Sequence, residues 1–201
     1  MSHDTWLHRS VRASVRPLID TPVTPNHITT ARLVTGLAAA ALFALDSQYW
    51  AAAMFLLSML LDRADGELAR ASGKSTARGH QYDLVTDTLC NALAFVGIGI
   101  SLRHGVFGAA AIPMGIVAGA AIICILWWVT RIEQRHGRRA GELRALPRFD
   151  PDDVMIVIPA AALLDCMAPL LAAAAVGAPL FAWAAYQFHW RGLLDEKPDL
   201  P

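Results

Sequence analysis

Long stretches that almost lack charged residues are the feature that most limits how this 201-residue chain can fold. They run over residues 27–46, 49–71, 81–102, 106–130, 154–168 and 170–189. A helix needs about 20 residues to cross the roughly 30 Å of hydrocarbon in a bilayer, and the first four stretches reach that length. Charged residues make up only 17% of the chain, whereas a soluble domain has about a quarter. The sequence therefore predicts an all-α integral membrane protein.

The apolar region from Val154 to Trp190 is too long for one crossing helix. Prolines and glycines inside it offer places where a helix can end: Pro159, Pro169, Gly177 and Pro179. We expect two helices here, joined by a turn near Asp165 and Pro169. With the four longer stretches, this gives six transmembrane helices.

Residues 1–20 form a separate element. Leu7, Val11, Val15 and Leu18 recur at helical spacing, and arginines lie elsewhere around the same helix. This pattern predicts an amphipathic helix that lies on the inner leaflet, although a basic tail without regular structure is the alternative. Residues 21–201 are then expected to form one six-helix transmembrane domain.

The basic residues lie almost entirely in alternate connections between the apolar stretches. Fifteen of the 17 fall on one predicted side: Arg9, Arg12, Arg16, Arg63, Arg70, Lys74, Arg78, Arg131, Arg135, Arg138, Arg139, Arg144, Arg148, Arg191 and Lys197. The positive-inside rule makes this side cytoplasmic and places both termini inside, as in a multi-pass protein of the inner membrane. The formal net charge is zero, which argues against a nucleic-acid partner.

Four aspartates interrupt the second and third apolar stretches. Asp62 and Asp65 are three residues apart and Asp83 and Asp87 are four apart, so each pair shares a helix face. At 1.5 Å per residue, Asp62 and Asp87 both lie about 10 Å below the cytoplasmic boundary. We therefore expect two facing pairs, Asp62 with Asp87 and Asp65 with Asp83. Carboxylates this close stay ionised only with cations among them, and Mg²⁺ or Mn²⁺ prefers such oxygen ligands.

The residues between the aspartate pairs suit a diphosphate ligand. Gly66 and Ala69 leave space beside the helix, and Arg70 supplies a fixed positive charge. Gly79 frees the backbone just before the third helix, which is expected to begin near residue 80. Metals, small residues and an arginine together favour phosphoryl chemistry on a charged substrate.

These residues form a recognisable motif. Asp62-Arg-Ala-Asp65-Gly66-Glu-Leu-Ala69-Arg70, followed by Gly79, Asp83 and Asp87, resembles the complete signature of the CDP-alcohol phosphotransferase (CDP-alcohol phosphatidyltransferase) family. Asn26-His-Ile-Thr29-Thr-Ala-Arg32 is similar to the Asn-x-x-Thr-x-x-Arg start of that family. The predicted six helices and N-terminal interfacial helix also resemble it.

The resemblance implies a homodimeric membrane enzyme of phospholipid biosynthesis with a cavity that faces the cytoplasm. By that similarity, Asp62, Asp65 and Asp83 hold two metal ions, and Asp87 is the general base and a further metal ligand. The residues implied at the CDP site are Asn26, Thr29, Asp65, Gly66, Ala69, Arg70 and Gly79. An acceptor hydroxyl attacks the β-phosphorus, and CMP leaves.

Several residues keep alternative interpretations. Asn26 is either a nucleotide ligand or only a helix N-cap, and Arg32 is either functional or a snorkelling side chain. Arg135, Arg138 and Arg139 either bind an acceptor phosphate or only set the topology. The acidic run Asp150, Asp152 and Asp153 either begins a helix or helps to select the acceptor.

The acceptor is not specified by the sequence. Asp83-Leu-Val-Thr-Asp87 fits none of the variants typical of the glycerol-phosphate, serine, or choline and ethanolamine enzymes. We expect CDP-diacylglycerol as the donor; transfer from a small CDP-alcohol to a lipid hydroxyl is the alternative. A divalent-cation transporter is a remote third possibility, because transporters place such carboxylates nearer the bilayer midplane.

Overall fold

The computed structural model describes residues 16–19, 21–136 and 151–195, and these residues form helices and short connections without a β-strand. The α-helices are α1 (Pro25–Ala44), α2 (Gln48–Ser72), α3 (Ala77–Ser101), α4 (Ala111–His136), α5 (Val157–Leu163), α6 (Met167–Ala185) and α7 (Arg191–Asp195). A π-helical turn, Tyr186–Trp190, connects α6 to α7. The amphipathic helix predicted for residues 1–20 lies outside the described residues, apart from a 3₁₀ turn at Arg16–Leu18.

Four segments of the described chain are long and apolar enough to cross a bilayer: Pro25–Ala44, Ala77–His104, Gly108–His136 and Met167–Leu194. The predicted all-α fold is therefore confirmed for the described residues, and their apolar helices are consistent with a multi-pass membrane protein. The predicted second and fifth spans correspond to α2, whose second half carries the charged motif, and to the short apolar helix Val154–Leu163. Six crossings remain a prediction.

The predicted break after α5 is confirmed, but the prolines do not make it. The turn lies between Leu163 and Met167 and includes Asp165, which has a φ of 52°, a left-handed conformation that aspartate tolerates. Pro169 lies in the first turn of α6, where its missing N–H costs little. Pro179 lies inside α6, and the helix continues past it.

Close backbone contact holds α3 against α4. A Cβ added at Gly115 would lie 2.4 Å from the carbonyl oxygen of Phe95, and one added at Gly99 would lie 2.5 Å from that of Ala111. Helices in lipid pack through small residues because no hydrophobic effect drives them together there. In the same bundle, α1 packs against both α2 and α3, and α4 packs against α6.

A short turn joins α2 to α3 and brings the motif together. α2 ends at Ser72 and is capped by Gly73, whose φ of 67° is favourable for glycine. Thr76 caps α3 by accepting a hydrogen bond from the Gly79 N–H at 3.0 Å. The cap makes α3 begin at Ala77, earlier than expected, so Gly79 lies within the first helical turn. The last turns of α2 thus lie beside the first turns of α3 and α1.

Candidate active site

Three helices contribute the aspartate cluster, which consists of Asp62 and Asp65 on α2 and Asp83 and Asp87 on α3, with Arg32 of α1 among them. Carboxylate oxygens of Asp62, Asp65 and Asp83 all lie within 4.8 Å of one another. The predicted convergence of the two aspartate pairs is confirmed. Asp65 faces Asp83 as predicted, whereas Arg32 bridges Asp62 and Asp87.

Arg32 is only 3% exposed, and its guanidinium group bridges α2 and α3. Its Nη1 lies 2.5 Å from Oδ1 of Asp62 and 2.8 Å from Oδ1 of Asp83. Its Nη2 donates a hydrogen bond to Oδ1 of Asp87. The interpretation of Arg32 as a snorkelling residue is therefore wrong: the side chain points into the protein and pairs with three carboxylates.

Two neutral side chains also donate hydrogen bonds to aspartates of the cluster. The Thr29 hydroxyl donates a 2.8 Å hydrogen bond to Oδ2 of Asp65, which is 3% exposed. The Asn91 amide donates a 2.9 Å hydrogen bond to Oδ1 of Asp87. Asn91 was not predicted as a site residue, although its position four residues after Asp87 places both on one face of α3. Asp87 therefore has two fixed donors, Arg32 and Asn91.

A pocket opens next to the cluster, at the start of α1 and the α2–α3 turn. It is lined by Pro25, Asn26, Thr29, Asp65, Gly66, Ala69, Arg70, Lys74, Ser75, Thr76, Gly79, His80 and Asp83. All seven residues implied at the nucleotide site are among them. Lys74 and His80 were not among the predicted site residues, although both are basic residues within or beside the motif.

Gly66 and Arg70 shape one wall of the pocket. A Cβ added at Gly66 would lie 3.5 Å from both terminal nitrogens of Arg70, so the guanidinium group lies across this glycine. Nη2 of Arg70 donates a 3.0 Å hydrogen bond to the buried Glu67 carboxylate. Glu67 therefore fixes the direction of an arginine whose side chain is otherwise 56% exposed.

Asn26 and Gly79 meet at the opposite wall. Thr24 caps α1, and its N–H donates a hydrogen bond to Nδ1 of His27, so the interpretation of Asn26 as the N-cap is wrong. A Cβ at Gly79 would approach both Asn26 Oδ1 and Thr76 Oγ1 to 3.0 Å. The glycine is needed here for close approach, and the expectation that it frees the backbone before the helix does not hold.

The residues proposed for the acceptor lie elsewhere or outside the described chain. Nη1 of Arg135 donates a 2.6 Å hydrogen bond to the carbonyl oxygen of Leu194, at the C-terminal end of α7. Arg138, Arg139 and Asp150 lie outside the described residues, and Asp152 and Asp153 lie in the 3₁₀ turn Pro151–Ile156. On the pocket side of α4, Glu133 lies 3.3 Å from Nε2 of His80.

The donor set of the cluster fits a hard divalent cation. An octahedral Mg²⁺ at about 2.1 Å from its ligands places neighbouring oxygens about 3 Å apart and opposite ones about 4 Å apart. The three carboxylates lie within 4.8 Å of one another, close to this spacing, and they offer only oxygen atoms. One guanidinium group offsets one of the four carboxylate charges, which leaves the cluster formally negative.

Comparisons with known proteins agree with this geometry. The crystal structure of the Mycobacterium tuberculosis phosphatidylinositol phosphate synthase PgsA1 with CDP-DAG bound superposes with a TM-score of 0.67. The two chains are 22% identical, and the match covers 94% of this chain and 98% of the other, which establishes the shared fold.

A "Bifunctional IPC transferase and DIPP synthase" of Rubrobacter xylanophilus is 30% identical over 106 residues, or 53% of this chain. The chain spans about a quarter (24%) of the length of that relative. Residues 22–191 match the model of one family, and this range contains the aspartate cluster and the whole pocket. The chain therefore belongs to the CDP-alcohol phosphatidyltransferase family of phosphotransferases.

Proposed function

We propose that the protein transfers a substituted phosphate group, phosphatidyl from CDP-diacylglycerol, to an alcohol acceptor and releases CMP in phospholipid biosynthesis. One observation carries the proposal: the pocket with the nucleotide-site residues of the family motif directly adjoins the aspartate cluster, with Asp65 and Asp83 belonging to both. A nucleotide diphosphate bound in the pocket has its phosphates next to the carboxylates.

In this mechanism, the pocket binds and orients the donor. Arg70, held by Glu67, and Lys74 offer positive charge to the phosphates, and Gly66 and Gly79 let the ligand approach the helix backbones. Asp62, Asp65, Asp83 and Asp87 would hold two divalent ions, Mg²⁺ or Mn²⁺. These ions, when bound, neutralise the diphosphate and stabilise the negative charge that develops on it.

Asp87 serves as the general base. Its carboxylate takes the proton of the acceptor hydroxyl, whose oxygen forms a bond to the β-phosphorus of the donor as the bond between that phosphorus and the bridging oxygen breaks. CMP leaves with the bridging oxygen. Arg32 and Asn91 keep one oxygen of Asp87 engaged, which fixes the direction of the carboxylate toward the acceptor.

An acceptor that carries its own phosphate is the first to test. The similar solved structure is named as a phosphatidylinositol phosphate synthase, and basic residues lie on the cytoplasmic side of the predicted topology. Arg135, Arg138 and Arg139 are proposed to attract such an acceptor.

The proposed setting is the inner membrane, with six crossings, both termini and the active site on the cytoplasmic side, and two chains in a homodimer. Residues 1–20 would lie on the inner leaflet, and residues 21–201 would form the catalytic domain. The distribution of basic residues supports the orientation. The family resemblance supports the dimer.

The test is CMP release by the purified protein from CDP-diacylglycerol with Mg²⁺ or Mn²⁺. The acceptor panel contains inositol phosphate, inositol, glycerol 3-phosphate, serine, ethanolamine and choline. We expect CMP with one acceptor, its loss on chelation with EDTA, and its return when metal is added back. If no acceptor in the panel gives CMP, but CDP-choline reacts with a lipid alcohol, CDP-diacylglycerol is rejected as the donor. Metal uptake into vesicles without CMP formation would reject the proposed transferase activity and favour a divalent-cation transporter.

Glu67→Gln is expected to raise the KM for the CDP donor several-fold and to leave kcat nearly unchanged. The neutral amide is nearly isosteric, but it holds the Arg70 guanidinium less strongly than the carboxylate does. Steady-state kinetics against donor concentration measure the effect. In a double-mutant cycle, the substitution should add little to Arg70→Gln. A KM equal to that of the wild type, or additive effects in the cycle, would contradict the role of Glu67.

A further inference from the structure

We infer that Arg32 is a fixed cation of the aspartate cluster that competes with the divalent ion for the same carboxylates. Its charge then limits how tightly the ion is bound, and its hydrogen bond to Asp87 supports turnover. The part on turnover rests on the proposed function, whereas the part on ion binding rests on the cluster alone.

The geometry makes Arg32 and an ion use the same carboxylates. Asp62 and Asp83 belong to the group of three carboxylates that fits a divalent ion. Oδ1 of each lies within 2.8 Å of the same nitrogen, Nη1 of Arg32. An ion bound by these carboxylates has to share them with the guanidinium group or displace it. The contacts come from both sides of the cluster, since α2 and α3 each contribute a carboxylate.

The Arg32 side chain is committed to this position. It is 3% exposed, and in the part of the chain that the structure describes, its Nε is buried without a hydrogen-bond partner. The hydrogen bonds and ion pairs of its guanidinium group are therefore made by the two terminal nitrogens, to aspartates. The backbone is anchored as well, because the Ser58 hydroxyl of α2 donates a 3.2 Å hydrogen bond to the Arg32 carbonyl.

The direction in which ion affinity changes when the Arg32 charge is removed distinguishes competition with the ion from a role in holding the carboxylates in place. A guanidinium group stays charged at any ordinary pH, and its repulsion of a doubly charged ion a few ångströms away changes a binding constant by more than tenfold. Removing the charge while keeping the fold should therefore tighten ion binding. If Arg32 only kept the carboxylates in place, its removal would loosen the site and weaken ion binding.

The experiment compares Arg32→Gln with the wild type, both as full chains in detergent micelles. Free Mn²⁺ is measured by electron paramagnetic resonance during titration, without donor or acceptor. We expect the dissociation constant for Mn²⁺ to fall at least about tenfold in Arg32→Gln. We also expect kcat for CMP release to fall, because Asp87 loses a fixed donor. Tighter ion binding with slower turnover is the combination that a merely structural role would not produce.

Two further variants complete the design. Arg103→Gln is the matched control, since Arg103 lies beyond the far end of α3 and donates to the Ile100 carbonyl; its Mn²⁺ affinity should equal that of the wild type. Arg32→Lys keeps the charge but lacks the planar fork, so competition predicts an affinity within about threefold of the wild type. A clearly weaker affinity in Arg32→Lys would contradict the inference even if Arg32→Gln does not fold.

The inference is overturned if Arg32→Gln binds Mn²⁺ no more tightly than the wild type, or if Arg32→Lys binds it clearly more weakly. These outcomes leave the proposed function intact as long as the wild type still releases CMP. Conversely, a wild type without CMP release rejects the proposed function, while the Mn²⁺ titration still decides whether Arg32 competes with the ion.

Discussion

Asp87→Asn is expected to lower kcat for CMP release by a factor of about a hundred or more, with the protein still folded. The amide keeps the shape of the side chain but cannot take the proton of the acceptor hydroxyl. The remaining aspartates, Asp62, Asp65 and Asp83, still offer a group of oxygens for a metal ion. Donor binding should therefore persist, and it is measured separately from turnover with a radiolabelled CDP-lipid.

Asp165→Asn provides the matched control for this variant. Asp165 lies in the turn between α5 and α6 at a φ of 52°, a conformation that asparagine adopts as readily as aspartate. The control should keep the wild-type rate. Substantial activity in Asp87→Asn would show that Asp87 is not the base, because a different group would then have to accept the proton.

Among the substitutions considered, Gly115→Leu is expected to lower the free energy of unfolding the most. A Cβ at this position would lie 2.4 Å from the Phe95 carbonyl oxygen, and the backbone of α3 cannot move away without separating from α4. Overpacking a core by a few methylene groups costs about 1–3 kcal/mol, and a clash with the helix backbone should reach or exceed the upper value. Thermal unfolding of the protein in detergent measures the change.

Gly177→Leu is the control for steric crowding, because a Cβ at Gly177 meets no atom within 4 Å. Both substitutions replace a glycine inside a long apolar helix with the same residue. Only Gly115→Leu should lower the unfolding temperature markedly. Equal effects of the two variants would mean that the close contact between α3 and α4 contributes nothing special to stability.

The convergence of the aspartates could be predicted because it depends on local spacing. Aspartates at separations of three and four residues, on two helices joined by a short turn, have to converge wherever the rest of the chain packs. The pocket residues follow for the same reason, since Gly66, Ala69 and Arg70 share the last turns of α2 with Asp65. Local patterns in a hairpin therefore specified most of the candidate site.

The role of Arg32 could not be read from spacing, because it depends on how α1 packs against the hairpin. An arginine at the start of an apolar helix can point to the membrane surface or into the protein, and tertiary packing decides between them. Asn91 depends on packing in a related way, because its partner Asp87 lies on the face of α3 that meets Arg32 of α1. The start of α3 was placed too late because the cap at Thr76 was not recognised.

The aspartate cluster is assembled entirely from α1, α2 and α3, which are consecutive in the chain. All charged residues of the cluster are therefore synthesised before α4. Arg32 precedes the four aspartates in the chain and is therefore synthesised before them. Because unpaired charges in hydrocarbon are costly, pairing at this early stage would ease entry of α2 and α3 into the bilayer. The order of residues along the chain thus has a consequence for biogenesis as well as for catalysis.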